Sequence, residues 1–188
     1  MRKLKLQMQI TVDGYVAGPN GELDWMSMDQ DDKYIAFYTS IIDSSDTILM
    51  GRKMTNEFVQ YWENVKPESP EFSFAKKMID TPKIVFSKTI KSIAGKNIVV
   101  EDGDLTTVVN DLKNKEGKDL LVYGGAGFVS ALIKEGLIDE FNFLVDPIMI
   151  NKGMRIFDLL EKRQKLSLLN STAYACGITA MSFKLNND

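Results

Sequence analysis

The run Leu120-Leu121-Val122-Tyr123, followed at once by Gly124-Gly125-Ala126-Gly127, constrains the fold of this chain more than any other feature. Four successive apolar residues make a strand buried on both faces, and such a strand needs helices on either side of its sheet. The residues from Phe128 to Glu135 read as the helix that leaves the turn, with Gly136 supplying its left-handed terminus. Residues with no Cβ, or only a methyl, serve here in one of two ways. They make a tight turn, or they let an anion close onto backbone N–H groups at a helix start, where the macrodipole favours negative charge.

The rest of the chain repeats the strand-then-helix alternation. Leu4, Leu6, Met8, Ile10 and Val12 alternate with polar residues, the period of a strand with one core face and one wet or functional face. Gly18-Pro19-Asn20-Gly21 opens a loop running to about Met28, and Asp31 or Asp32 caps a helix carrying Tyr34, Ile35, Tyr38, Ile41 and Ile42. Thr47 to Met50, Lys83 to Phe86 and Asn97 to Val100 read as strands, with helices from Gly51 through Phe58, from Phe72 to Ile79 and after Asp104. Glu140 to Ile150 reads as a long strand interrupted by Pro147, and Leu166 to Ala175 with Ile178 to Leu185 as a closing hairpin. The expected fold is α/β: a mixed, mostly parallel sheet with helices on both faces and a C-terminal antiparallel hairpin. A length of 188 residues suits one domain over 1–188.

Composition removes whole classes of chemistry. The chain has no histidine and one cysteine, which excludes Ser-His, Cys-His and His-metal mechanisms and predicts no metal. Cys176 has no base nearby in sequence and is assigned no role. The net charge of -3, with acidic and basic residues interspersed, gives no basic patch for nucleic acid. No run of 18 apolar residues predicts a membrane span, and a reducing cytoplasm suits the single thiol.

Two further strand ends carry polar chemistry. Gly51-Arg52-Lys53 adds two cations beside a strand-to-helix turn, and Ser87-Lys88 adds a hydroxyl and an ammonium able to meet a phosphate monoester. Both turns fall at the carboxyl ends of strands, where open α/β sheets bind ligands. Asp24, Asp29 and Asp31 are the acids near the start of the first helix; each serves as a proton donor, or as a cap or solvated loop acid. Trp25, in the loop, is the aromatic best placed to meet a flat substrate, whereas Tyr34 and Tyr38 fit a core stripe.

Six stretches in fixed order carry a family resemblance: Thr11-Val12-Asp13-Gly14-Tyr15-Val16-Ala17-Gly18, Gly21 to Met26, Asp46 to Arg52, Pro82 to Thr89, Gly124-Gly125-Ala126, and Gly136 to Phe141. Together they resemble the dihydrofolate reductase-like superfamily, in particular bacterial proteins similar to the C-terminal reductase domain of the riboflavin-biosynthesis deaminase-reductase. The resemblance implies an NADPH-dependent reductase of a small pterin-, pyrimidine- or other conjugated heterocycle. In it, Gly51, Arg52, Lys53, Ser87 and Lys88 hold the adenosine 2'-phosphate end. Gly124, Gly125, Ala126 and Gly127 cradle the pyrophosphate, Val16 and Ala17 lie against the nicotinamide, and Trp25 belongs to the closing loop. The family's Thr after Gly-Arg-Lys is Met54 here, with Thr55 one place later. A 5-amino-6-(5-phosphoribosylamino)uracil-type substrate, a non-catalytic NADP(H)-binding protein on the same fold, and a homodimer formed through the region of Phe141, Phe143 and Ile148 are further expectations.

Overall fold

The computed structural model describes residues 1–27 and 31–186. The strands are β1 (Leu4–Thr11), β2 (Ser45–Gly51), β3 (Lys83–Phe86), β4 (Ile98–Glu101), β5 (Asp119–Gly124), β6 (Glu140–Asp146), β7 (Leu166–Ala173) and β8 (Thr179–Leu185). The helices are α1 (Asp32–Asp43), α2 (Arg52–Glu63), α3 (Phe72–Asp80), α4 (Leu105–Asn114) and α5 (Ala126–Lys134). All eight strands share one sheet in the order β4-β3-β2-β5-β1-β6-β8-β7. From β4 to β6 every pairing is parallel, and β8 and β7 join antiparallel.

Each face of the sheet has its own helices. On one side Leu4, Leu6, Met8 and Ile10 of β1 pack with Val109 and Leu112 of α4 and with Val129, Leu132 and Ile133 of α5. On the other, Ile41 and Ile42 of α1, Phe58 and Val59 of α2 and Met78 of α3 cover Ile48, Met50, Val85 and Leu121. Burying each Leu, Ile or Phe contributes about 1.5–3 kcal/mol, so covering both faces is what holds a parallel sheet together.

Several sequence expectations are revised here. Of the two alternatives for the second face of β1, wet or functional, the wet one falls: Gln7 is 6% exposed and Thr11 2%, because β1 lies between β5 and β6 and α1 packs on that side. The strand expected to reach Ile150 ends at Asp146, where Pro147 has no N–H to continue the ladder. Phe141 and Phe143, expected near a dimer surface, are 2% and 7% exposed and belong to the main core. Ile35 of α1 also points outward, while Tyr34 is fully buried as expected.

Candidate active site

The six parallel strands all deliver their carboxyl ends to one edge of the sheet. Between β2 and β5 the outgoing helices part, α2 toward one face and α5 toward the other, which opens a crevice at the edge. Two glycine turns face each other across it. A Cβ on Gly51 would stand 2.7 Å from the Cβ of Phe128, and a Cβ on Gly125 would stand 3.5 Å from Gly51 Cα. Gly124 and Gly125 both have positive φ, 149° and 88°, which glycine alone adopts readily. A Cβ on Gly127 would meet nothing within 4 Å, so that turn faces open space beside Ala126.

Gly51 and Gly125 are the N-caps of α2 and α5, and among the described residues neither helix start receives a side-chain cap hydrogen bond. The first N–H groups of both helices are therefore available to a ligand, with two positive helix ends side by side. Arg52 and Lys53 are exposed in the first turn of α2. Thr55 is fully buried and donates to the Gly51 carbonyl at 3.1 Å, and Met54 packs on Gly124. Neither position of that pair offers a hydroxyl to an anion.

Ser87 and Lys88 follow β3 at the same edge. The Ser87 hydroxyl accepts from Thr89 N and Ile90 N, both at 3.2 Å, and so orders its own turn. The exposed Lys88 ammonium donates to the carbonyls of Asp102 and Gly103 beyond β4. Val16 and Ala17 cross above the end of β1, 5% and 7% exposed. Their backbone pairs with Met154, Val16 N to Met154 O at 2.9 Å and Met154 N to Ala17 O at 2.8 Å. Gly153 permits this: a Cβ there would lie 2.1 Å from the Ala17 carbonyl oxygen. Asp13 fastens the same crossing by accepting from the Thr11 hydroxyl at 2.6 Å and from Asn151 N at 2.8 Å. The Thr11 hydroxyl, ahead of its backbone bonds, holds the Asp13 carboxyl below its ordinary value.

The acids are not equivalent. Asp31 is the N-cap of α1, its Oδ1 accepting from Lys33 N and Tyr34 N, while Oδ2 accepts from Cys176 N at 3.1 Å. The Tyr34 amide bond leads the causes that lower its pKa. Asp24 is exposed, and Asp29 lies outside the described residues. A carboxyl that sequence reading missed is Asp146, 1% exposed at the end of β6 and paired with Thr11 of β1. It accepts from Ser27 N at 3.0 Å and from the Gln9 amide at 3.4 Å, and burial pushes its pKa up against those bonds. The available signal was an acid before Pro147 at the end of an apolar run.

The β1, β5 and β6 residues on that face, Gln7, Thr11, Tyr123, Asn142 and Asp146, form a polar layer beside α1. The hydroxyls of Tyr38 and Tyr123 are 2.9 Å apart, and Ser182 donates to Asn142 Oδ1 at 2.7 Å. Tyr34 of α1 stacks on Tyr38 and lies edge-on to Tyr174. Gln7 Oε1 and the indole Nε1 of Trp25 are buried with no hydrogen-bond partner among the described residues. Among the described residues no group of His, Cys, Asp and Glu is disposed to hold a metal. No helix there is long and apolar enough to cross a membrane.

Sheet order, glycine edge and C-terminal hairpin define a dihydrofolate reductase-like α/β protein. The chain belongs to the RibD C-terminal domain family, whose model matches residues 2–180. It is 32% identical over 185 residues to the uncharacterized protein YyaP of Bacillus subtilis (strain 168), covering 98% of this chain and 96% of that one. Its fold is similar to a putative riboflavin biosynthesis protein from Shewanella sp. PV-4, with a TM-score of 0.75 at 23% identity and full coverage of both chains. It is also similar to dihydrofolate reductase from Enterococcus faecalis complexed with NADP(H), with a TM-score of 0.63 at 12% identity over 98% of this chain and 97% of that one. Family membership supports a reductase-type function.

Proposed function

We propose that this chain is an NADPH-dependent reductase of a small conjugated heterocycle of the pterin or pyrimidine type. The observation that carries the reading is the pair of helix starts, α2 and α5, that abut at Gly51 and Gly125 with no side-chain caps. Two bundles of free N–H groups a few ångströms apart suit the two charges of a pyrophosphate, and the bare Gly124-Gly125-Ala126-Gly127 turn leaves room for it. Arg52 and Lys53, with Lys88 across the β3 turn, supply cations for a 2'-phosphate. Val16 and Ala17 hold the nicotinamide end and Trp25 faces the substrate. When bound, the cofactor supplies a hydride; the protein aligns the acceptor, excludes water and provides the proton.

Binding of NADPH and NADH, followed by calorimetry, tests this. We expect NADPH to bind well below millimolar, the level that corresponds to about -4 kcal/mol, and more tightly than NADH. Arg52→Gln should narrow the difference between the two. If neither dinucleotide binds below millimolar, the reading is removed. A substrate of the 5-amino-6-(5-phosphoribosylamino)uracil type is the specific alternative within it, tested by growth rescue of a strain lacking only that reductase.

A second reading is a non-catalytic NADP(H)-binding protein, favoured by the engagement of Asp31 with three backbone amides. Tight NADPH binding without oxidation across folate, biopterin, quinone and uracil substrates would support it. A cytoplasmic location suits either reading. A homodimer is also proposed, through β7 rather than β6. Leu166, Leu168 and Leu169 are 39%, 59% and 50% exposed on the outer edge strand, an arrangement that invites pairing with a second copy.

A further inference from the structure

The loops that follow β1 and β6 meet at the carboxyl edge, and more joins them than the backbone pairing of Val16 and Ala17 with Met154. The Asp13 carboxylate stands between them. Its Oδ1 accepts from the Thr11 hydroxyl at 2.6 Å, and its Oδ2 accepts from Ile150 N at 3.1 Å and from Asn151 N at 2.8 Å. The Thr11 hydroxyl in turn accepts from Tyr15 N at 2.9 Å, which closes the turn leading into Val16. Tyr15 then reaches back to the second loop. Its hydroxyl donates to the Asn151 carbonyl at 3.1 Å and accepts from Arg155 Nη2 at 3.1 Å, and the Arg155 guanidinium lies 4.7 Å from the ring centroid.

The described residues 12–17 and 147–155 belong to no helix or strand, and the bridge between Ala17 and Met154 is an isolated one. Side chains therefore do much of the holding. Outside glycine, positive φ occurs among the described residues only at Asn97 and Asn151. Asn151, at φ 65°, has its N–H bonded to Asp13 and its C=O bonded to Tyr15, so both ends of this left-handed residue are held by the first loop. A sparsely populated backbone conformation persists where its surroundings over-determine it, and those surroundings here are two side chains of the loop that carries Val16 and Ala17.

We propose that Asp13 is a positioning residue of the cofactor site: by clasping the two loops it fixes Val16 and Ala17 at the nicotinamide end, without touching the cofactor itself. This rests on the reductase reading above, in which Val16 and Ala17 hold that end. The phosphate-binding turns stand on β2, β3 and β5, whereas the hydrogen bonds of the clasp stay within residues 11–17 and 150–155. Loss of the clasp therefore acts on one half of the dinucleotide. The effect is graded by the side chain. A carboxylate accepts on both oxygens and so meets three converging donors, whereas alanine removes every acceptor. Asparagine keeps one oxygen for Asn151 N and turns its amide N–H toward the Thr11 hydroxyl, which has a lone pair left after accepting from Tyr15 N.

The test uses the full chain with NADPH and with 2'-phospho-ADP-ribose, which lacks only the nicotinamide ring, both by calorimetry. We expect Asp13→Ala to bind the fragment as wild type does and NADPH at least fivefold more weakly, and Asp13→Asn to recover most of that loss. At saturation the emission of bound NADPH, which reports how far the ring is shielded from water, should fall toward that of free NADPH in Asp13→Ala. Binding of the fragment certifies the fold of the variant. Should Asp13→Ala not fold, Thr11→Val, which removes only the hydroxyl between Asp13 and Tyr15 N, should show the same split between the two ligands. Equal NADPH affinity in wild type and Asp13→Ala, an equal loss of both ligands, or equal affinity of wild type for NADPH and the fragment overturns the assignment. Failure of wild type to bind either ligand instead overturns the reductase reading, so the two failures are distinct.

Discussion

Replacement of Gly51 by alanine tests the geometry of the glycine edge directly. Gly51 has φ -82° and ψ 145°, a conformation alanine adopts without strain, so any effect must come from space. The added methyl would stand 2.7 Å from the Cβ of Phe128, about 1 Å closer than ordinary carbon contact. Phe128 Cβ is fixed to the backbone of α5, and its ring stacks on Phe86 with centroids 5.0 Å apart, so relief requires moving α5 relative to β2. Overpacking of this kind costs about 1–3 kcal/mol. For a chain of this size each kcal/mol lowers Tm by about 2–4 °C, giving a fall of about 2–12 °C. Gly127→Ala is the matched control: its methyl enters open space in the first turn of α5 and should stabilise by about 0.5–1 kcal/mol. Thermal unfolding by circular dichroism reads both. If Gly51→Ala melts within 1 °C of wild type by that estimate, or melts together with Gly127→Ala, the tight crossing of the two turns is refuted. Because Gly51→Ala pushes the two helix starts apart, it should also weaken NADPH at least tenfold.

Lys83, 2% exposed, donates to the carbonyls of Met78, Ile79 and Thr81 at the end of α3, and burial lowers its ammonium to about 8. Between that value and the ordinary 10.5 the unfolded chain holds the proton more firmly than the folded one, so wild-type stability relative to Lys83→Met should rise as pH increases through this window; urea midpoints at pH 8 and pH 10.5 check the sign. Arg2, 8% exposed, joins Asp46, Thr47 and the Lys118 carbonyl, tying the chain start to the beginnings of β2 and β5. Because the Asp46 side chain is 39% exposed, Arg2→Ala should cost about 2–3 kcal/mol, below the full cost of breaking a buried pair, as a shift in urea midpoint at unchanged slope. Leu168→Lys with Leu169→Lys should convert a dimer into monomer in sedimentation velocity without lowering Tm; an unchanged sedimentation coefficient removes β7 as the interface.

Local physics made much of this protein legible in its sequence. Short apolar runs bounded by glycine predicted the parallel strands, because a strand buried on both faces has nowhere to place polar residues. Helix spacing and the pair Asp31-Asp32 marked α1, since an aspartate oxygen at that place captures free N–H groups, and the structure gives the cap to Asp31. The glycine turns after β2 and β5 were readable as sites where backbone must be approached. That Gly51 lies against Gly125 was decided by the tertiary structure, which inserts β5 between β2 and β1 although β3, β4 and two helices separate β2 from β5 in the chain. The same holds for Asp146, an acid at a strand end whose burial depends on Thr11 beside it and on Ser27, which donates to it. Sequence decides which residues can bury, cap or turn; burial by distant elements decides which of several identical acids is pushed above its ordinary pKa, because desolvation is a property of the surroundings rather than of the residue.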